Sequence, residues 1–160
     1  MEPVSRGGRS VKLDEIDLKI LRYVQENPKM RIRDISSKLG VPKSTVYYRI
    51  RKLEELNVIK GYNAILDSEK LGFEYIVVIL VKGKYGPGYH EEIGRFLSKN
   101  PYVQAVYYVL GEQDFVVVGK FPSKGKYMEF LESLINSSFI ERTCTMVVAR
   151  VIKEDFKLNI

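Results

Sequence analysis

The chain has 160 residues, 45% of them hydrophobic, and a formal net charge of +6. That length suits one ordinary domain or two small ones with packed cores. The longest unbroken apolar run, Tyr75 to Val81, is far short of the ~20 residues of a membrane-spanning helix. The N-terminal stretch MEPVSRGGRSVK lacks the apolar segment of a secretory signal.

One cysteine and one histidine exclude an internal disulfide and a Cys/His metal cluster within one chain. A reducing cytoplasm is the expected compartment, with no membrane partner. The positive charge is unevenly placed. Residues 1–63 hold 14 Lys+Arg against 8 Asp+Glu, and residues 64–160 hold 12 of each, so the whole excess lies in the first part. This split points to two domains, the first of them facing a polyanion.

Residues 1–12 are rich in Gly, Ser and Arg without periodicity and read as a disordered basic arm, with Arg6, Arg9 and Lys12 available to a phosphate backbone. Leu13 to Asn27 predicts a helix. Ile16, Ile20, Leu21 and Val24 recur at helical spacing, acids fill the first turn, and Asn27-Pro28 stops it. A second short helix is expected from Ile32 to Leu39, ended by Gly40. Pro42 then sits where a third helix can begin, running to about Leu56.

In that third helix Val46, Ile50 and Leu53 form a thin apolar stripe. The remaining positions carry two hydroxyls, two tyrosines and four cations, and no acid occurs between Asp34 and Glu54. A solvated amphipathic helix usually mixes both signs in i,i+4 pairs. Two short helices joined by a Gly-containing turn describe a helix-turn-helix, whose second helix enters the DNA major groove. The candidate DNA contacts are Lys43, Ser44 and Thr45 at the helix N-terminus, then Tyr47, Tyr48, Arg49, Arg51 and Lys52. Arg49 has a second reading, an ion pair with an acid on the first helix, and one of the two tyrosines has a second reading as half buried.

Val58 to Lys60 and Tyr62 to Leu66 read as two short strands about Gly61, or as one strand broken there. They make a wing, with Lys60 as its phosphate contact. The first domain is thus expected to be a winged helix-turn-helix over residues 13–63, followed by a linker over 64–73.

Residues 74–160 predict a second domain. Its elements are a strand from Glu74 to Lys82, a helix from His90 to Lys99, strands Val103 to Leu110 and Phe115 to Phe121 joined by GEQD, a helix from Lys124 to Asn136, and a last strand from Thr143 to Ile152. Ile93, Phe96 and Leu97 should face inward on the first of these helices, and Tyr127, Leu131, Leu134 and Ile135 on the second. The order βαββαβ is that of a ferredoxin-like domain, so the fold class is α+β.

In YIVVILV, FVVV and MVVA both alternating sets are apolar. A sheet apolar on both faces must be covered twice, and two helices cover only one. A second copy of the chain, in a symmetric dimer, supplies the other cover. The alternative is that the first domain folds over the sheet. A dimer also suits a helix-turn-helix that reads a pseudo-palindromic site on double-stranded DNA.

There is no Gly-x-Ser-x-Gly, no phosphate-cradling loop and no His-Glu-x-x-His, so nothing specific supports an enzyme, and no cofactor is expected. The residues resemble the Lrp/AsnC (feast/famine) transcription regulators over about Leu13 to Glu154. The resemblance rests on LDEIDLKIL, on LGVPKSTVYYRIRKLEELNVIKGY, on the Gly-x-x-Asp turn GEQD and on ERTCTMVV. It implies dimerisation through the sheets, assembly of dimers into an octamer, and a free amino acid bound between regulatory domains. Its effector site would involve Gly111 and Asp114 of the turn and Thr143 and Thr145 of the last strand. The turn reads GEQD where the family often has Gly-Asp-Tyr-Asp, and Cys144 stands where a small hydroxyl residue is frequent.

The expected function is therefore a DNA-binding transcription regulator controlled by a small effector. The rival is an oligomeric small-molecule-binding assembly protein without specific DNA binding.

Overall fold

The computed structural model describes residues 11–160. The arm's first ten residues, Arg6 and Arg9 among them, lie outside the described residues. The chain divides into two units, one running to Ile65 and taking in Asp155–Ile160, the other Leu66–Glu154.

The first unit holds three helices, α1 (Glu15–Glu26), α2 (Ile32–Leu39) and α3 (Lys43–Glu55). Asp14 caps α1 by a reciprocal box: its carboxylate accepts the Asp17 N–H at 2.9 Å, and the Asp17 carboxylate accepts the Asp14 N–H at 3.1 Å. Gly40, at φ +65°, ends α2 in the left-handed region that glycine enters without a Cβ penalty. Pro42 is the extended residue that caps α3 rather than its first helical position. Ile20 and Leu21 of α1, Ile35 of α2, and Val46 and Leu53 of α3 form a common core. Apolar spacing read from the sequence is enough to place those five, because each recurs on one helical face.

The wing differs from its expected form. The Val58 and Ile59 N–H groups both donate to the Leu53 carbonyl, at 2.9 and 3.1 Å, closing α3 in a turn that begins with Asn57 at φ +54°. Donors spent on the end of a helix cannot form a strand ladder. Tyr62 to Leu66 forms no strand, and Ile65 is 91% exposed.

The last six residues, expected within the second domain, pack on the first unit instead. The Leu158 N–H donates to Gln25 Oε1 at 2.7 Å, and Gln25 Nε2 donates to the Leu158 carbonyl at 3.2 Å. Arg22 Nε donates to the Ile160 carbonyl, and Ile160 lies against the helical core.

The second unit is a four-stranded antiparallel sheet in the order β2-β3-β1-β4 with two helices. Its elements are β1 (Tyr75–Gly83), α4 (Tyr89–Leu97), β2 (Val103–Tyr108), β3 (Phe115–Phe121), α5 (Lys124–Ile135) and β4 (Ile140–Val147). The order βαββαβ and this strand arrangement are those of the ferredoxin-like fold.

Val77, Ile79, Val81, Phe115, Val117 and Phe121 point to the helices and pack with Ile93 and Leu97 of α4 and Tyr127, Phe130 and Leu134 of α5. Phe130, not Ile135, completes the inward face of α5, and Ile135 is exposed. Gly83 closes β1 where a Cβ would come within 2.3 Å of the Ile93 Cδ1 methyl, so any larger residue there would force that side chain of α4 to shift.

The other face presents half-buried Val78, Leu80, Val116 and Val118, with exposed Cys144 and Met146 opposite Leu80 and Val78. β4 starts at Ile140, earlier than the sequence pattern suggested, and ends at Val147, opposite Val77 of β1. The Val148 N–H donates to the Ile76 carbonyl, and the chain then leaves the sheet.

Candidate nucleic-acid interface

Helix α3 is four-residue rows around a thin core stripe. Val46 and Leu53 are buried and Ile50 is half-buried. Lys43, Tyr47 and Arg51 form one outward row, and Ser44, Tyr48 and Lys52 the next. Tyr47 is 55% exposed and Tyr48 68%, so the second reading, in which one of them is half buried, is not the one present.

The second row lines a groove of about 570 Å³ between α3 and the start of α1. Lys12, Leu13, Asp14, Asp17, Ser44, Thr45, Tyr48, Arg49 and Lys52 form its walls. Among the described residues, Lys43, Lys52 and Lys60 have no acid partner within salt-bridge distance. Arg51 lies 3.3 Å from Glu54, whose other oxygen accepts the Tyr62 hydroxyl at 2.9 Å. Burial, and then that carboxylate, push the Tyr62 phenol up to about 12. Lys60, Arg51 and the two tyrosines are exposed, as a surface that meets a phosphate backbone requires.

Arg49 is differently placed. Of its two sequence readings, the ion pair with α1 is the one present. Its Nη1 lies 2.6 Å from Asp14 Oδ2 and 2.8 Å from Asp17 Oδ1. The Arg49 guanidinium, with the Asp17 backbone N–H, holds the Asp14 carboxyl below the usual carboxylate range. The same bonds raise Arg49 above its ordinary value, Asp14 first and Asp17 second.

The four expected effector residues sit around β1. The Asp114 N–H donates to the Val81 carbonyl at 3.0 Å, and Thr143 of β4 pairs with Val81 from the other side. The exposed Gly111 begins the turn, and Glu112 reaches Arg142 of β4 at 2.6 Å. Gly111, Asp114 and Thr143 therefore share one end of the sheet. Thr145 lies one step further along, opposite Ile79, and its hydroxyl accepts from Tyr127 of α5 at 2.8 Å.

Asp114 is 4% exposed and already engaged, accepting the Gly83 N–H at 2.9 Å and the Lys82 ammonium at 3.3 Å. As placed, it anchors the turn to the end of β1 before it offers anything to a ligand.

Sequence reasoning missed the side chains that crowd this end. Lys82 Nζ donates to the Tyr85 hydroxyl at 2.7 Å. That bond first, then Asp114, raises the Lys82 ammonium above its ordinary range. The Tyr89 and Tyr108 hydroxyls lie 3.3 Å apart, and the Tyr89 phenol is raised by that contact and then by burial. His90 stacks on Tyr108 at 5.2 Å. Lys82 lies at the end of β1, Tyr85 lies on the following loop, Tyr89 and His90 open α4, and Tyr108 ends β2, and no periodic pattern in the chain links them.

A three-helix unit with a cationic outward helix, followed by a ferredoxin-like unit with a polar turn pole, defines a DNA-binding transcription regulator with a separate ligand-sensing domain. Comparison with known proteins agrees. A winged helix-turn-helix DNA-binding model matches residues 13–60, and an Lrp/AsnC ligand binding domain model matches residues 76–158.

The chain is 37% identical over 149 residues to an HTH-type transcriptional regulator of Pyrococcus furiosus, covering 93% of this chain and 99% of that one. It is 39% identical over 150 residues to the HTH-type transcriptional regulator FL11 of Pyrococcus horikoshii, covering 94% and 98%. Among solved structures it resembles an AsnC family transcriptional regulator from Agrobacterium tumefaciens, with a TM-score of 0.83 at 25% identity over 91% of this chain and 96% of that one. A Neisseria meningitidis transcriptional regulator in complex with L-Met has the same fold, with a TM-score of 0.84 at 23% identity over 92% and 96%.

The chain belongs to the Lrp/AsnC family of transcription regulators. It joins a winged helix-turn-helix to a ligand-binding domain.

Proposed function

We propose that this protein binds a specific, pseudo-palindromic DNA site as a dimer and is regulated by an amino acid. Two copies of α3 enter successive major grooves, one per half-site. Ser44, Thr45, Tyr47 and Tyr48 meet bases, sugars and phosphates, and Lys43, Arg51, Lys52 and Lys60 neutralise phosphates. One observation carries this reading: the outward rows of α3 are hydroxyls, tyrosines and cations, and the cations Lys43 and Lys52 have no acid partner among the described residues.

The open apolar sheet face, built on Val78, Leu80, Val116 and Val118, supports the dimer. Dimers assemble further into an octamer. The effector is a free amino acid held between regulatory domains at the end where Gly111, Asp114 and Thr143 meet. Its ammonium and carboxylate find the hydroxyls and free backbone groups of that turn, and Thr145 contributes from below. A relative solved in complex with L-Met supports this choice of ligand class. The protein acts on DNA in the cytoplasm and catalyses nothing.

The test is binding to duplexes selected by the protein from a random-sequence pool, at two salt concentrations, with and without mixed amino acids. Salt-sensitive, sequence-selective binding that the amino acids alter is the expected result. Selective binding indifferent to every amino acid removes the effector. No preference over random DNA at low salt replaces the regulator with the assembly-protein reading.

A further inference from the structure

We infer that Arg49 is the residue that sets the rotation of the DNA-facing helix against α1, and that it is not one of its phosphate contacts. The inference rests on the reading of this protein as a sequence-specific DNA binder, and it takes one cation out of the expected DNA surface.

Three observations carry it. The Arg49 side chain is 24% exposed, whereas that of Arg51, two residues on, is 60% exposed. Arg49 Nη1 lies within 2.6 to 2.8 Å of three carboxylate oxygens, two on Asp14 and one on Asp17. Those two carboxylates are themselves the capping box that starts α1, each bound to the other residue's backbone N–H. One guanidinium therefore ties α3 to the capping box at the start of α1.

The rest of the α1–α3 contact is apolar and thin, with Val46 and Leu53 as the only fully buried residues of α3. Apolar contact is non-directional and tolerates a helix that rolls about its axis. A charge-assisted bond to two fixed carboxylates does not. Arg49 lies one row from Ser44, Tyr48 and Lys52, so its anchor decides whether that row or its neighbour faces the DNA.

The bond also neutralises two acids at the rim of the DNA-facing groove. Without Arg49 they would repel phosphate beside Lys52 and Tyr48.

The test uses the full-length protein, a duplex that the wild type selects from a random pool, and a scrambled duplex of the same composition. Affinity for each is measured across a salt series for Arg49→Lys, Asp17→Asn and Lys52→Gln. Arg49→Lys keeps the charge, but its ammonium ends one bond short of the Nη1 that makes all three carboxylate contacts. It is expected to lose at least about tenfold for the selected duplex, with binding to the scrambled duplex and the salt slope unchanged.

Asp17→Asn is expected to weaken selective binding although it removes a negative charge near the DNA. Lys52→Gln, the phosphate contact used as comparison, is expected to lower the salt slope by about one per half-site and to weaken both duplexes. Arg49→Lys that binds like the wild type overturns the inference, as does Asp17→Asn that binds more tightly. In either case Arg49 is a phosphate contact that the acids merely store. A misfolded variant would lose the scrambled duplex too, which neither expected outcome does. A wild type that selects no duplex instead overturns the DNA-binding reading itself.

Discussion

Leu80 sits at the middle of the open sheet face, paired in register with Val116 on β3 and Cys144 on β4. If this face is the proposed dimer interface, Leu80→Asp is expected to dissociate the dimer while leaving the chain folded. In the single chain Leu80 is only partly buried and lies on the face away from the helices, so a carboxylate there can turn to water and the helix-side core of Val77, Ile79 and Val81 is untouched.

In a two-fold interface each substitution counts twice. An ion buried without a partner costs several kcal/mol even after relaxation. At about 3 kcal/mol for each of two carboxylates, the dissociation constant rises by about four powers of ten. A wild-type dimer of nanomolar affinity would then be a monomer at micromolar concentration. Sedimentation velocity measures the association state and far-ultraviolet circular dichroism the fold. A folded Leu80→Asp protein that sediments as the wild type does at every concentration would show that this face is not the interface, and the argument from two-sided apolar strands would fail.

Removing residues 155–160 takes away the Gln25 and Leu158 bonds and uncovers the core beside Ile160. It should lower the thermal midpoint of the first unit, read by hydrogen exchange in α1, and leave exchange in the β1–β3 ladder unchanged. The depressed Asp14 carboxyl sets an acid limit. Its folded-state value lies below the ordinary 3.8, so its contribution is fully present above that pH and is lost as pH falls through the lower folded value. The chain should therefore lose Arg49-dependent stability only below about pH 4, and Asp14→Asn should flatten that part of an acid titration. Tyr62 should ionise near pH 12, late relative to an ordinary tyrosine, and Glu54→Gln should bring it down. Ultraviolet difference titration reads both.

The sequence by itself determined the helices, the succession of strands and helices along the chain and the cationic character of the third helix, because these depend on local periodicity and composition. Ile20, Ile35, Val46 and Leu53 recur at helical spacing, Val77, Ile79 and Val81 alternate, and Gly40 stops a helix wherever the chain goes next. The absence of acids between Asp34 and Glu54 marks a cationic surface without reference to anything distant.

What depends on partners far along the chain was decided by the tertiary structure alone. The sequence left Arg49 two readings, a phosphate contact and an ion pair with the first helix, and the Asp14–Asp17 box, 32 to 35 residues away, decides for the pair. Asp114 reads as a free turn carboxylate until the end of β1 brings it the Gly83 N–H and Lys82. The wing strands were expected from β-branched residues, but the Leu53 carbonyl had already taken the Val58 and Ile59 donors. The C-terminal tail carries no periodicity of its own, and its place is set by Gln25, 133 residues away. Periodicity is a property of neighbours in sequence, whereas the partner of a charge or of a backbone donor is a property of neighbours in space.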